Sequence, residues 1–558
     1  MRACRYRVSA LALFILWTAF GTPALAHPDF AHDVAPIIYR NCAGCHHDGG
    51  PGPFSLTDYS DIKKHATEIA AVTARRYMPP WLPQHGYGEF QDERRLSDQQ
   101  IRVISDWVKA GEPEGAASET PAPPRFTSEW QLGQPDLILK TEQPFAVPAG
   151  GPDVFWNFIF EPKLKGTRYV RAMEIRPGRN RLVHHANLLI DRFGSLANRA
   201  GRGFPGMDFT LDRNPLDPAS HFLFWKPGSI PYSEPDGMSW RLDPNNVLVL
   251  NTHLQPSGKA EEVQPEIGLY FTDKPPNRFP ILVQLEHDDA LDIPPGARDF
   301  VVRDDFRLPV DADVLAIYPH AHYLGKLIEA YATLANGSRV WLIRIPDWDL
   351  NWQAVYRYRK PIFLPKGTVL SMRIHYDNSA ANPRNPNRPP KRVRAGNNAT
   401  DEMGHVWLQI LPRGRGDERR TVEEALMRHR LEKYPDDFSA HLNLGALALS
   451  RLDAQGAVSM LETAVRIDSK RPEAHDMLGS ALQNLGRLPD AIREYRRALQ
   501  DDPQYWDARY NLARALAKSG DLNGAVENLR RVIAAYPADK RLRDEYSALL
   551  ARAAAAGH

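Results

Sequence analysis

From residue 126 to 413 apolar positions come in short runs, at 156–160, 247–252, 301–308, 315–318 and 406–411 among others. Pro, Gly, Asn and Asp separate the runs, and no long amphipathic helix intervenes. Short apolar runs bounded by turn residues predict antiparallel strands, here enough for two β-sandwiches at 126–272 and 273–413. The pattern changes after a charged linker at 414–434. From 435 to 558 small and apolar residues recur every 34 positions: Leu444, Leu478 and Leu512; Gly445, Gly479 and Ala513; Ala457, Ala491 and Ala525. That period predicts stacked helix pairs, roughly three of them, near the minimum for a stable stack. A third pattern fills 27–111, with short helices expected at 32–40, 59–73 and 98–110 around a Gly/Pro loop at 49–53. The Pro-rich stretch 112–125 predicts a semi-rigid spacer and a domain boundary.

The first residues follow a different logic. Arg2, Arg5 and Arg7 precede an apolar stretch at 8–20 that is short for a bilayer span, and Ala24-Leu25-Ala26 fits a small-x-small cleavage site. An export signal at 1–26 is therefore expected, with His27 opening the mature chain and a periplasmic or otherwise exported location. No other segment is apolar enough to span a membrane. With 70 Lys and Arg against 68 Asp and Glu, the net charge of +2 gives no reason to expect nucleic acid as a partner.

Cysteine usage sharpens the picture. Of three cysteines, only Cys42 and Cys45 lie beyond the expected cleavage site. They form Cys-Ala-Gly-Cys followed by His46, the C-x-x-C-H attachment pattern of c-type haem. The two thiols would carry the haem covalently, and His46 would ligate its iron. A zinc ribbon would need a second C-x-x-C, which the chain lacks. The segment resembles a small class I cytochrome c domain. That resemblance implies Met78, in Tyr-Met-Pro-Pro-Trp, as the sixth iron ligand, with His47, His65 and His85 as competitors.

The β region carries histidines in an ordered series: His184-His185, then His253, then His320-Ala-His322, and finally Met403 after Glu402. On a strand, residues i and i+2 share a face, so His320 and His322 can reach one metal. His184 and His185 would point apart on an ideal strand, and both could bind one metal only at a bulge or strand end.

The order His-His, His, His-x-His and Glu-Met, over about 290 residues, resembles the type II copper, ascorbate-dependent monooxygenases, which include peptidylglycine hydroxylase and dopamine β-hydroxylase. The resemblance implies two jelly-roll-like domains, each with one copper ion. Copper one would take His184, His185 and His253. Copper two would take His320, His322 and Met403, and would be where O₂ is activated and a substrate C–H bond hydroxylated. The family's disulfides cannot form here. Its substrate-anchoring arginine is replaced by Tyr318, and its Asn and Tyr after the ligand methionine by His405 and Trp407, so a peptide C-terminus is not the expected substrate. The 34-residue period likewise looks like tetratricopeptide repeats, which implies a protein partner or a structural cap.

Together these readings predict a multidomain exported oxidoreductase. A small all-α haem domain would supply electrons to a two-copper monooxygenase acting on O₂ and a small molecule, after accepting them from an external donor. The alternative is an electron-transfer or copper-binding protein that hydroxylates nothing and docks partners through its repeats. A copper brace at His27 would need a partner histidine that is not evident.

Overall fold

The structure, a computed structural model, describes residues 27–126, 130–192, 194–197, 203–206 and 217–556. The expected export segment lies outside the described residues. No described helix is long and apolar enough to cross a membrane.

The chain divides into two units. The smaller contains residues up to 48, 52–80 and 94–126. Its helices are Ala35–Asn41, Tyr59–Lys64, Ala66–Ala74 and Asp98–Lys109, packed around Phe30, Ile38, Ile62, Ile104 and Trp107. The single helix expected at 59–73 is interrupted at His65, whose ring stacks on Phe54 with centroids 3.7 Å apart. The last helix starts on a capping box, Ser97 bonding the Gln100 amide and the Gln100 side chain returning to Ser97. The expected spacer at 112–125 begins as part of this unit. The carbonyls of Pro113 and Glu114 accept the amides of Phe30 and Ala31 at 2.9 and 3.0 Å, and Pro113 also accepts the Trp107 indole at 3.0 Å. Amides at the start of a helical segment lack partners within it, and these carbonyls supply them.

The larger unit contains residues 49–51, 81–93 and everything from 127 onward, so the expected 27–111 domain is not continuous. Residues 81–93 pack with the second β module: Phe90 joins its core, and the Gln91 amide donates to Arg357 O at 2.7 Å.

Each β module has two larger antiparallel sheets around one apolar core, with a two-stranded sheet beside them. In the first, one sheet has Val247–Leu254 at its centre, between Val154–Phe160 and Val183–Asp191. The other is built on Glu266–Thr272 and Arg168–Arg176. In the second module, Gly404–Pro412 lies between Ile281–Glu286 and Ala312–Ala321, facing a sheet of Phe300–Arg307, Val369–Tyr376, Gly325–Thr333 and Arg339–Ile345. Val247–Leu254 is buried along its whole length, as a central strand covered on both faces should be.

Residues 414–434 are not a linker. Arg419–Lys433 is a helix anchored on two buried carboxylates of the second module. Glu286 accepts from Arg430 at 3.0 Å, Lys433 at 3.2 Å and the Tyr434 hydroxyl at 2.6 Å. Asp304 meets His429 at 2.7 Å and Lys433 at 2.9 Å. Three helix pairs follow, from Phe438–Ser450 to Leu522–Ala535, and then Lys540–Ala556. The 34-residue period marks helix crossings: a Cβ on Gly445 would meet Leu461, and one on Gly479 would meet Tyr495.

Candidate metal centres

In the first module His184 and His185 lie on Val183–Asp191 and His253 on the neighbouring Val247–Leu254. The pairing runs His253 with His185, then Leu254 with Val183, so His184 is an extra residue in a β-bulge. The bulge turns two adjacent side chains toward the same place. The three Nδ1 atoms converge: His184 lies 3.1 Å from His253 and 3.2 Å from His185. They form the one described cluster of His, Cys, Asp or Glu with metal-ligand spacing, all within 4.8 Å of one another.

Hydrogen bonds to Asp153 and Gln353 orient two of the three rings. His253 Nε2 donates to Asp153 at 2.6 Å, leaving an Nδ1 lone pair. This bond holds the Asp153 carboxyl below its usual range. His185 Nδ1 accepts from the Gln353 amide at 3.2 Å, so it too presents a lone pair. Burial pushes His184 down to about 4 and His185 well below its ordinary value, so neither meets the others as a cation at neutral pH. Three imidazole nitrogens brought to one point form a donor set that a cation between them would satisfy. Spacings near 3.2 Å are those of nitrogens around one ion at about 2 Å.

The second centre sits at the end of the central pair of strands in the second module. Tyr318 and His320 share a face of Ala312–Ala321, and His322 follows the strand. Strand Gly404–Pro412 pairs with it through His320–His405 and Ala321–Gly404, so the next step sets Met403 opposite His322. The rings of His320 and His322 are 5.3 Å apart and nearly perpendicular. Each has Nδ1 engaged, His320 with Gln353 at 2.9 Å and His322 with the Asp401 carbonyl at 3.1 Å, which leaves both Nε2 atoms to coordinate. Burial lowers both imidazoles from their ordinary value.

Glu402, fully buried, organises this backbone. Its carboxylate accepts the amides of His322, of Leu324 at 2.9 Å and of Met403 at 2.9 Å. Burial pushes its carboxyl up to about 8, against the pull of those donors. The Met403 carbonyl accepts the Tyr376 hydroxyl at 2.8 Å, and a Cβ on Gly404 would collide with that hydroxyl. His405 bonds Asp288 at 3.0 Å and His375 bonds Asp299 at 2.6 Å, so each already has an acidic partner.

In the smaller unit Cys42 and Cys45 are unpaired, half-buried thiols at the end of Ala35–Asn41. His46 Nδ1 lies 3.2 Å from the Phe54 carbonyl, which assigns the proton to Nδ1 and leaves Nε2 available. The loop presses close: a Cβ on Gly52 would lie 2.7 Å from His46 Nδ1. Among the side chains expected to compete for the sixth position, His47 stacks on Phe126 and His65 on Phe54. His85 belongs to the segment packed with the larger unit. Met78 is half-buried.

Asp153, Gln353 and the bonding role of Glu402 escape a reading of the sequence. Only Glu402 had a signal, its place beside Met403.

Comparison with known proteins bears on the tail. The chain is 32% identical over 100 residues to the peroxisomal targeting signal receptor of Saccharomyces cerevisiae, covering 18% of this chain and 16% of that protein. It is 31% identical over 94 residues to Superkiller protein 3 of Schizosaccharomyces pombe, covering 17% of this chain and 7% of the relative. The chain thus spans a small fraction of the relatives it matches. Residues 477–540 match the tetratricopeptide repeat family, and the helix pairs that contain them are such repeats.

Proposed function

We propose that this protein is an exported haem- and copper-dependent oxidoreductase of monooxygenase type, acting on a small molecule. The observation that carries the reading is the convergence of the Nδ1 atoms of His184, His185 and His253, with His184 3.1 Å from His253 and 3.2 Å from His185. The donor sets fit the proposed metals: three imidazoles at one site, and at the other two imidazoles with Met403 next to the strand residue paired with Ala321. Copper held there would supply one-electron transfer and O₂ activation. Haem on Cys42 and Cys45, ligated by His46, would supply electrons singly.

The residues of the chain account for the rest. Asp153 and Gln353 orient the three-histidine set, and Glu402 holds His322 and Met403 in one rigid backbone. Tyr318, Phe222 and Phe224 form an aromatic wall, with Tyr318 at 6.1 and 5.3 Å from the two phenylalanine rings. Such a wall suits an uncharged or aromatic substrate better than a carboxylate. Burial raises the Tyr318 phenol, which stays protonated and donates to Gln353 at 2.7 Å. The repeats favour a protein partner, and they are the observation behind the second reading, an electron-transfer or copper-binding protein docked through its tail.

The test is the metal and haem content of the mature protein beside Met403→Ala, with O₂ uptake followed on a panel of aromatic small molecules. About two coppers per haem, and substrate-dependent O₂ consumption lost in the variant, are expected. Copper and haem without O₂ consumption would favour the second reading; zinc or no metal would defeat both copper readings.

A further inference from the structure

We infer that Gln353 is a positioning residue shared by the two histidine centres, and that through it filling the first centre weakens metal binding at the second. The inference rests on reading both centres as metal sites. Gln353 is 1% exposed and follows the short turn Leu350–Trp352. Its Oε1 accepts from the Tyr318 hydroxyl at 2.7 Å and from His320 Nδ1 at 2.9 Å. Its Nε2 donates to His185 Nδ1 at 3.2 Å. One primary amide therefore orients a ligand of each centre.

The amide has little freedom to go elsewhere. Asp349 caps its turn by accepting the Asn351 amide at 3.0 Å. Trp348, fully buried, ties the start of the turn to the His320 strand through the Ala321 carbonyl at 3.0 Å. On the other side, Lys226 of the first module reaches the Trp352 carbonyl at 3.5 Å. Phe224 lies between the centres, its ring 5.9 Å from His185 and 5.3 Å from Tyr318.

The conflict is chemical. The His185 Nδ1 that accepts from Gln353 is the atom that converges with His184 and His253, and it has one lone pair for both roles. A metal ion there takes that lone pair and leaves the amide N–H facing a cation. The favourable response is to turn the amide over, so that its carbonyl faces the ion. His320 Nδ1–H and the Tyr318 hydroxyl then meet N–H donors, and a buried donor without an acceptor is costly. His320 escapes by moving its proton to Nε2, the atom the second metal needs. Coupling between sites of this kind is typically about 5- to 150-fold, and we expect about tenfold.

The experiment is anaerobic Cu(I) titration of the metal-stripped, full-length mature protein against a chromophoric chelator. His184→Ala disables the first centre, and Met403→Ala identifies copper bound at the second. The second centre of the His184→Ala protein should bind Cu(I) about tenfold more tightly than that of the wild type with its first centre filled. Gln353→Glu offers an acceptor to both sides at once, so it should abolish the difference while retaining second-centre affinity. Gln353→Ala should also abolish it but weaken the second centre, because His320 Nδ1–H loses its acceptor. Equal second-centre affinity in wild type and His184→Ala, with two coppers bound by the wild type, would overturn the inference and leave the two-site reading intact. That comparison needs no Gln353 variant. A wild-type protein that binds fewer than two copper ions would remove the two-site reading itself, and the inference with it.

Discussion

At the scale of single residues, the candidate centres carry features that a chain selected only for stability would avoid. Three imidazole Nδ1 atoms crowd one point in the first module. Replacing the central ring should relieve that crowding, so His184→Leu is expected to raise the unfolding temperature of the metal-free protein while lowering its metal content. A calorimetric scan in chelator reads this directly, and a lower unfolding temperature would show that the site is held for packing reasons. Glu402 makes the opposite case. Three backbone amides depend on its carboxylate, and each buried donor left without an acceptor costs about 1–3 kcal/mol. Glu402→Ala should therefore cost several times that of an average substitution and empty the second centre, whereas Glu402→Gln, which keeps an acceptor, should do less of both. Metal analysis and thermal unfolding of the two variants separate these outcomes.

At the scale of elements, strands were legible and their exceptions were not. The runs at 156–160, 247–252 and 406–411 fall within strands Val154–Phe160, Val247–Leu254 and Gly404–Pro412, because apolar content and flanking turn residues are local signals. The tail helices were legible for the same reason, with Gly445 and Gly479 recurring where helices cross. The stretch 414–434 reads as a linker because its charges look like a solvated surface. Arg430 and Lys433 are instead paired with Glu286 and Asp304, which lie far away in sequence. The turn bearing Gln353 was illegible too, since its amide gains meaning only from histidines on two other strands. The docked helix also carries a pH dependence. Burial opposes charge on both His429 and Asp304, yet their hydrogen bond prevails, so His429 is held above its ordinary value and Asp304 below. The contribution of His429 is complete below about pH 6.5 and is lost as pH rises through its raised folded value; that of Asp304 is complete above about 3.9 and is lost as pH falls through its lowered one. The stability difference between wild type and His429→Gln should thus be largest between about pH 4 and 6.5 and shrink toward pH 9 in thermal unfolding. A difference independent of pH would mean that the charge on His429 does not matter.

At the scale of the whole molecule, the repeat tail and the β modules do not separate where the sequence suggests. A chain ended after Arg413 strips Glu286 and Asp304 of the cations that pair with them in the intact chain, a change of at most about 3–5 kcal/mol, the cost of a broken buried pair. A chain ended after Asp437 retains Arg430, Lys433 and Tyr434. The shorter form should unfold at a distinctly lower temperature than the longer one, although both lack every repeat. Equal unfolding temperatures would show that the helix Arg419–Lys433 belongs to the tail alone. Division of the N-terminal region has a similar lesson: residues 81–93 lie inside the expected haem domain yet pack with the larger unit, because Phe90 finds its apolar neighbours there.

The bulge at His184 changes what counts as a mutation in this protein. A strand without the extra residue would alternate sides strictly, and only one of two neighbouring histidines could face the metal position. Inserting or deleting a single codon in Val183–Asp191 could thus assemble or dismantle a three-ligand site with every histidine still present in the gene. A survey that asks only whether the ligand residues are there would miss such an event; one that counts the spacing between strand partners would not.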